Sequence, residues 1–143
     1  MARIDRRAAL GIAAIGALSG CATPAAIAAP PKTAAIGMTF LQSIDPNPDD
    51  LCAFIEANWF AMDAIAKAQG LMTSYALETI GEGEADWNVV VRVGYPDPRG
   101  YAAIAERFEA IRRAHVVTLI NGKGLRDLGW IVRSTTVRPR ASG

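Results

Sequence analysis

The sequence predicts an α+β domain in the order β-α-β-β-α-β, its four strands forming one antiparallel sheet. Three observations carry this. Four short runs rich in β-branched and aromatic residues are bounded by Asp-Pro, Gly or polar turns. Two intervening segments place apolar residues at helical spacing, and each opens on Asn-Pro or Asp-Pro. The middle two strands are separated only by the polar run from Gly81 to Asp86, so they form a hairpin, whereas the other connections pass through helices.

Residues 36–44 (IGMTFLQSI) read as the first strand, stopped by Asp45-Pro46. Asn47 can cap free N–H groups, Pro48 suits a first helical turn, and Asp49 and Asp50 favour the positive helix end. That helix runs to about Gln69, with Leu51, Ile55, Trp59, Met62 and Ile65 or Ala66 inward, and Gly70 as terminator. Residues 71–80 (LMTSYALETI) and 87–95 (WNVVVRVGY) are the hairpin strands. Asp97-Pro98 opens a second helix, striped by Tyr101, Ile104, Ala105, Phe108 and Ile111 and ending near Ala114. Asn121-Gly122-Lys123-Gly124 is a turn, and Val116 to Ile120 either extends the helix or forms a short strand. Residues 130–137 (WIVRSTTV) form the last strand, before Pro139.

This order is the ferredoxin-like, or split βαβ, arrangement. Right-handed crossovers put both helices on one sheet face and leave the other open to solvent, a ligand or another copy. The Trp-opened third strand runs through Tyr95-Pro96-Asp97 into a helix carrying Phe108-Glu109-Ala110-Ile111-Arg112-Arg113. Over residues 37–138 this layout resembles the dimeric α/β-barrel superfamily. The resemblance implies a homodimer formed through the open sheet faces, with a cavity in each subunit. Its members include cofactor-independent oxygenases, haem-binding enzymes, isomerases, lyases and proteins of no known activity, among which fold alone does not choose.

Ahead of the domain lies an address. Arg3, Arg6 and Arg7 precede a mild apolar run from Ala8 to Leu18, too short for a membrane span. The following Leu18-Ser19-Gly20-Cys21 resembles the lipobox of bacterial lipoproteins, which implies cleavage before Cys21 and acylation of its thiol. An ordinary signal cut near Ala28 is the alternative. Asp5-Arg6-Arg7-Ala8-Ala9-Leu10 resembles a twin-arginine signal, so Tat and general secretory export both stand. Ala22 is not the Asp of inner-membrane retention, which points to the periplasmic face of the outer membrane. Residues 22–35, rich in Ala and Pro, read as a tether that at about 3.1 Å per residue spans roughly 40 Å. The expected divisions are therefore a signal with lipobox at 1–21, tether at 22–35, domain at 36–139 and a tail at 140–143.

Composition excludes several function classes. The full chain has 15 basic and 14 acidic residues. Losing residues 1–21 removes three basic residues and one acidic residue, which leaves a net charge near −1 and no basic surplus for nucleic acid. With Cys21 acylated, Cys52 has no thiol partner and is expected to be small, apolar and unreactive. One histidine and one free cysteine cannot make a Cys/His zinc cage, so no metal is expected. No phosphate loop or nucleophile elbow is present, and the reading calls for no cofactor.

Strand alternation selects candidate site residues. Val89, Val91 and Val93 suit the helix side, which sends Arg92 to the open face together with Asn88 and Val90. In the second strand Ser74, Ala76 and Glu78 lie opposite Tyr75 and Leu77; the facing of the first strand stays undecided. Arg92 could bind a carboxylate or enolate oxygen, with Glu78 or His115 as acid or base; alternatively Arg92 and Glu78 are an ion pair setting register. His115 could equally meet carbonyls at a helix end. Trp59, Trp87, Asn88 and Tyr75 are candidate ligand contacts, with core packing as the alternative for the aromatics. Alternation also says that Trp87 and Asn88 cannot both enter one cavity.

The reading is thus an exported, lipid-anchored homodimer that binds a small organic molecule, its activity unassigned. An enzyme such as a cofactor-independent oxygenase or isomerase, and a structural envelope lipoprotein, are the alternatives.

Overall fold

In the computed structural model the described residues are 29–81 and 83–141. The signal segment, Cys21 and residues 22–28 of the tether lie outside them. Strands β1 (Ala35–Ser43), β2 (Ser74–Thr79), β3 (Val89–Tyr95) and β4 (Gly129–Val137) form one antiparallel sheet in the order β2-β3-β1-β4. Between β1 and β2, α1 (Asp49–Phe54), a π-helical turn (Ile55–Phe60) and α2 (Ala61–Ala68) follow without a break. A 3₁₀ turn (Gly100–Ala103) and α3 (Ala105–Ala114) follow β3, and the short α4 (Leu125–Leu128) leads into β4. The fold is α+β.

Asn47 and Asp97 each close a side-chain turn two residues on, just ahead of α1 and of the 3₁₀ turn, although α3 itself begins only at Ala105. Asn47 Oδ1 accepts from the Asp49 N–H at 3.0 Å, and Asp97 Oδ1 accepts from the Arg99 N–H at 2.8 Å. Several boundaries differ from the sequence reading. Ala35 is fully buried, Ala34 N–H donates to the Tyr95 carbonyl at 2.8 Å, and the Thr33 and Thr73 hydroxyls lie 2.6 Å apart. The last residues assigned to the tether therefore belong to the domain; alanine reads as linker by composition but here fills a tight sheet position. The hairpin strands are shorter than their apolar runs, because Leu71 and Met72 plug the core ahead of β2 and Trp87 and Asn88 precede β3. Val116 to Ile120 neither extends the helix nor forms a strand. Backbone ψ turns to 130° at His115, and Ile120 closes a bridge with Lys123.

Register settles which side chains share a face, since directly opposed residues point the same way. Gly37, Thr39 and Leu41 oppose Val93, Val91 and Val89, and Tyr75 and Leu77 oppose Val93 and Val91. These face the helices. Leu41, Val89 and Val91 pack with Leu51, Phe54, Ile55 and Leu128, while Ala35 and Tyr95 pack with Ala66, Ile104, Phe108 and Ile111. Met38, Phe40 and Gln42 therefore share the opposite face with Val90, Arg92, Ala76 and Glu78. On that face Ala76, Glu78, Arg133 and Thr135 are exposed.

The π-helical turn changes which residues point inward. Uniform α-helix would bury Met62 and then Ile65 or Ala66. Ala66 is buried as that pattern allows, but Asp63 is buried where Met62 is only partly so, and Ile65 is 48% exposed. A π turn closes i→i+5 rather than i→i+4, so the inward face beyond it lags by one position. In the second helical segment Ile104, Phe108 and Ile111 are buried as the stripe requires, but Tyr101 falls in the 3₁₀ turn and is exposed.

β4 starts against the backbone of its neighbour. A Cβ at Gly129 would stand 2.5 Å from the Gln42 carbonyl oxygen and 3.0 Å from Leu51 Cδ2. Because the nearest obstacle is main chain in a paired strand, Gly129→Ala is expected to cost about 2 kcal/mol. A urea-unfolding midpoint equal to that of the wild type would contradict this.

Candidate functional site

The open face brings Arg92 and Glu78 together. They sit one pair apart on adjacent strands, since Arg92 opposes Ala76 and Glu78 opposes Val90, and Arg92 Nη1 donates to Glu78 Oε1 at 3.2 Å. Both side chains are about half accessible, 42% and 53%. Nearby, Arg133 Nη1 lies 3.0 Å from both Asp86 oxygens, and its guanidinium stands 4.7 Å above the Phe40 ring. Trp87 meets Phe40 edge-on at 4.9 Å. The face is thus an aromatic and apolar surface crossed by two ion pairs. Exposed pairs of this kind contribute about 0–1 kcal/mol, so Arg92→Ala is expected to change folding stability by no more than that. A thermal-denaturation loss several times larger would show that the pair is structural.

Trp87 and Asn88 correct the alternation argument. Both line one groove, with Gln42, Ser43, Ile44 and Pro46. β3 proper begins at Val89; Asn88 still bonds through its backbone to Leu41 and Ile80, but its side chain turns to Ser43. Asn88 is nonetheless committed to the fold: its Oδ1 accepts from Ser43 N–H at 2.9 Å and its Nδ2 donates to Ser43 Oγ at 2.7 Å.

His115 does not join Arg92 and Glu78. It lies in the helix layer, where its Nε2 is 3.0 Å from Asn58 Oδ1. Asn58, 2% exposed in the π-helical turn, uses its whole hydrogen-bonding capacity. Its Nδ2 donates to the Phe54 and Thr118 carbonyls, both at 2.9 Å, and its Oδ1 also accepts from Thr118 N–H at 2.7 Å. These backbone partners fix the amide orientation, so His115 Nε2 carries a hydrogen and donates. The imidazole completes a clasp that holds residues 115–118 against the helix. Its position follows from the α3 terminus, which puts it on the far side of the sheet from Arg92.

Trp59 and Tyr75 also belong to the helix side. Trp59 packs against the core cluster around Leu51 and Ile55, and Tyr75 stacks on Phe60 at 4.7 Å with Lys67 Nζ 5.9 Å from its ring. Cys52 is half-buried; burial, then Glu56 and Asp49, push its thiol up from its ordinary value and keep it protonated and unreactive.

The sequence reading passed over Asp63. It is 5% exposed on α2 and makes no hydrogen bond or ion pair with the described residues; burial pushes its carboxyl up to about 7. Arg92 Nε is the one wholly buried side-chain polar atom without a partner among the described residues, so the Asp63 oxygens retain some accessible surface. Tyr95, 6% exposed, is pushed up to about 12 by burial, then by the charges of Asp63 and Tyr101. Its ring lies across Gly37, where an added Cβ would stand 3.1 Å from Cε2. Gly37, Thr39 and Val93 lie at the centre of the helix-facing surface yet remain partly accessible. The one signal in the sequence was an aspartate four residues after Trp59 in an otherwise apolar stripe. Reading it as inward needs the π-helical turn.

No protein-family model and no curated protein sequence matches the chain. Among solved structures the chain is similar to HapK from Hahella chejuensis, at 12% identity and a TM-score of 0.49. That alignment covers 76% of this chain and 95% of HapK. Among the described residues no helix is long and apolar enough to cross a membrane, and no group of three or more His, Cys, Asp or Glu side chains could hold a metal ion.

Proposed function

We propose that this chain is an exported, lipid-anchored protein of the dimeric α/β-barrel type, which binds a small organic molecule as a homodimer. The observation that carries the reading is the open sheet face. Phe40, Trp87, Met38 and Val90 cluster there between the Arg92–Glu78 and Arg133–Asp86 pairs, and Trp130, half exposed, extends the apolar surface along β4. A face on which half-buried Phe40 and Trp87 and exposed Trp130 lie among charge pairs suits burial against a second copy. The four-stranded antiparallel sheet in the order β2-β3-β1-β4, with helices packed on one side, supports this reading. Native mass spectrometry of the Cys21→Ser protein, which lacks the acylation site, is expected to show two chains together with a retained small molecule. A bare monomer at micromolar concentration would overturn the reading. Separately, labelling cells with an alkyne fatty acid should mark the wild type and not Cys21→Ser.

An enzyme acting on a small organic compound without a cofactor is the second reading. It is favoured by one observation, the buried Asp63 beside Tyr95.

A further inference from the structure

The two ends of the sheet differ in charge, and the chain enters the domain at the basic one. The Ala34 and Thr33 hydrogen bonds fix the entry point, and a Cβ on Gly94 would stand 3.2 Å from Thr33 Cγ2. Lys32 is thereby held at the start of β1. Val137 pairs with Ile36 there, so β4 ends at the same place and delivers Arg138 and Arg140. Arg138 Nε donates to the Pro98 carbonyl at 3.2 Å, which brings in the turn that carries Arg99. Lys32, Arg138 and Arg140 are exposed and form no ion pair with the described residues. Of the carboxylates on the elements that meet here, Asp97 is taken up by Arg99 at 2.8 Å, Asp63 is buried, and Glu106 stands in the first turn of α3. We propose that this basic end, centred on Lys32, Arg138 and Arg140, lies against the anionic headgroups of the bilayer that holds the lipid anchor. This rests on the lipid-anchored reading above and adds to it a second contact and an orientation; it does not depend on the dimer.

The point of entry decides the occupant. Residues 22–31 join the acylated cysteine to this end and, at about 3.1 Å per residue, reach roughly 30 Å at most. A surface kept that close has an effective concentration in about the millimolar range, so a weak attraction suffices. Each Lys or Arg near an anionic surface strengthens such a contact about fivefold. The far end of the sheet is unsuited to the same surface. There Asp45, Asp49, Asp50 and Asp127 line a groove of about 410 Å³ in which Lys123 is the one basic lining residue, and Arg112 is paired with Glu109 at 3.0 Å. A chain with a formal net charge of only +1 therefore meets an anionic plane as a dipole, drawn in at one end and repelled at the other. Tyr101, 40% exposed beside Gly100 at the basic end, is of a type that sits at headgroup level.

The test uses the acylated wild-type protein on vesicles of phosphatidylglycerol and phosphatidylcholine in equal parts, or of phosphatidylcholine alone. A water-soluble acetylating ester, read by mass spectrometry, compares Lys32 at the basic end with Lys123 at the acidic groove in one molecule. Labelling of Lys32 is expected to be about fivefold slower on the anionic vesicles, with Lys123 unchanged. Arg138→Glu combined with Arg140→Glu should bring Lys32 back to its rate on neutral vesicles, as should high salt. Circular dichroism checks that the double variant folds; if it does not, the salt arm decides. Equal Lys32 rates on the two vesicles, equal slowing of Lys32 and Lys123, or slowing that outlasts both the salt and the arginine changes overturns the proposal. Slowing that persists in detergent without lipid would put a protein on this surface and overturns it too. If the purified protein carries no acyl chain, the anchored reading and this proposal fall together; if it is acylated and Lys32 is unshielded, only this proposal falls.

Discussion

Asn58→Ala is expected to lower folding stability by about 3 kcal/mol, which would make it among the most damaging single truncations in the domain. The amide meets four partners, the Phe54 and Thr118 carbonyls, the Thr118 N–H and the His115 imidazole, and it is 2% exposed. Truncation leaves these groups without a partner in a site closed to bulk water, and each orphaned group costs about 1–3 kcal/mol before relaxation. Asn58→Asp should be worse, because a carboxylate cannot donate to two carbonyls and brings a buried charge. His115→Ala should cost less, since Asn58 then keeps its three backbone bonds. Urea unfolding followed by tryptophan fluorescence gives the order, and an Asn58→Ala midpoint within error of wild type would refute the clasp.

The second large effect is a pH dependence carried by Asp63. In the unfolded chain this carboxyl loses its proton near pH 4, whereas in the folded chain burial holds the proton until about 7. Between those values the unfolded state binds fewer protons, so stability falls as pH rises from about 4 to about 7 and is flat above. The full displacement corresponds to roughly 4 kcal/mol as an upper bound. Asp63→Asn removes the titration, so the variant should match wild type near pH 4 and exceed it at pH 8. Asp97 does not confuse the comparison. Hydrogen bonds from Arg99 hold it down to about 2, so its contribution is lost only as pH falls below about 4. Equal wild-type and variant stability at pH 8 would show that the folded chain does not restrain this proton.

What could be read in advance follows from the range of the forces involved. Asn47-Pro48 announced the start of α1 because such turns act within two residues, whereas Asp97-Pro98 leads into a 3₁₀ turn and α3 begins only at Ala105. The valines of β3 announced their facing because alternation is rigid inside a strand, and this placed Arg92 and Glu78 on one face. Whether they touch depended on register, which two isolated strands do not encode. The Asn58 clasp was hidden for a stronger reason: its partners His115 and Thr118 lie 57 and 60 residues away. Trp87 and Asn88 were misjudged because alternation was carried to the very end of β3, where Trp87 turns to Phe40 and Asn88 to Ser43. Asp63 was passed over because one α-helical period was carried through the π-helical turn.

That turn has a geometric meaning beyond local irregularity. One extra residue in a helix rotates everything after it by about 100° relative to everything before it. The two ends of the segment can then obey different inward patterns, apolar before the turn and carboxyl-bearing after it, without disturbing either terminus or the strands they join. The insertion works like a twisted coupling between two straight shafts, and Asp63 is the side chain that it swings into the interior.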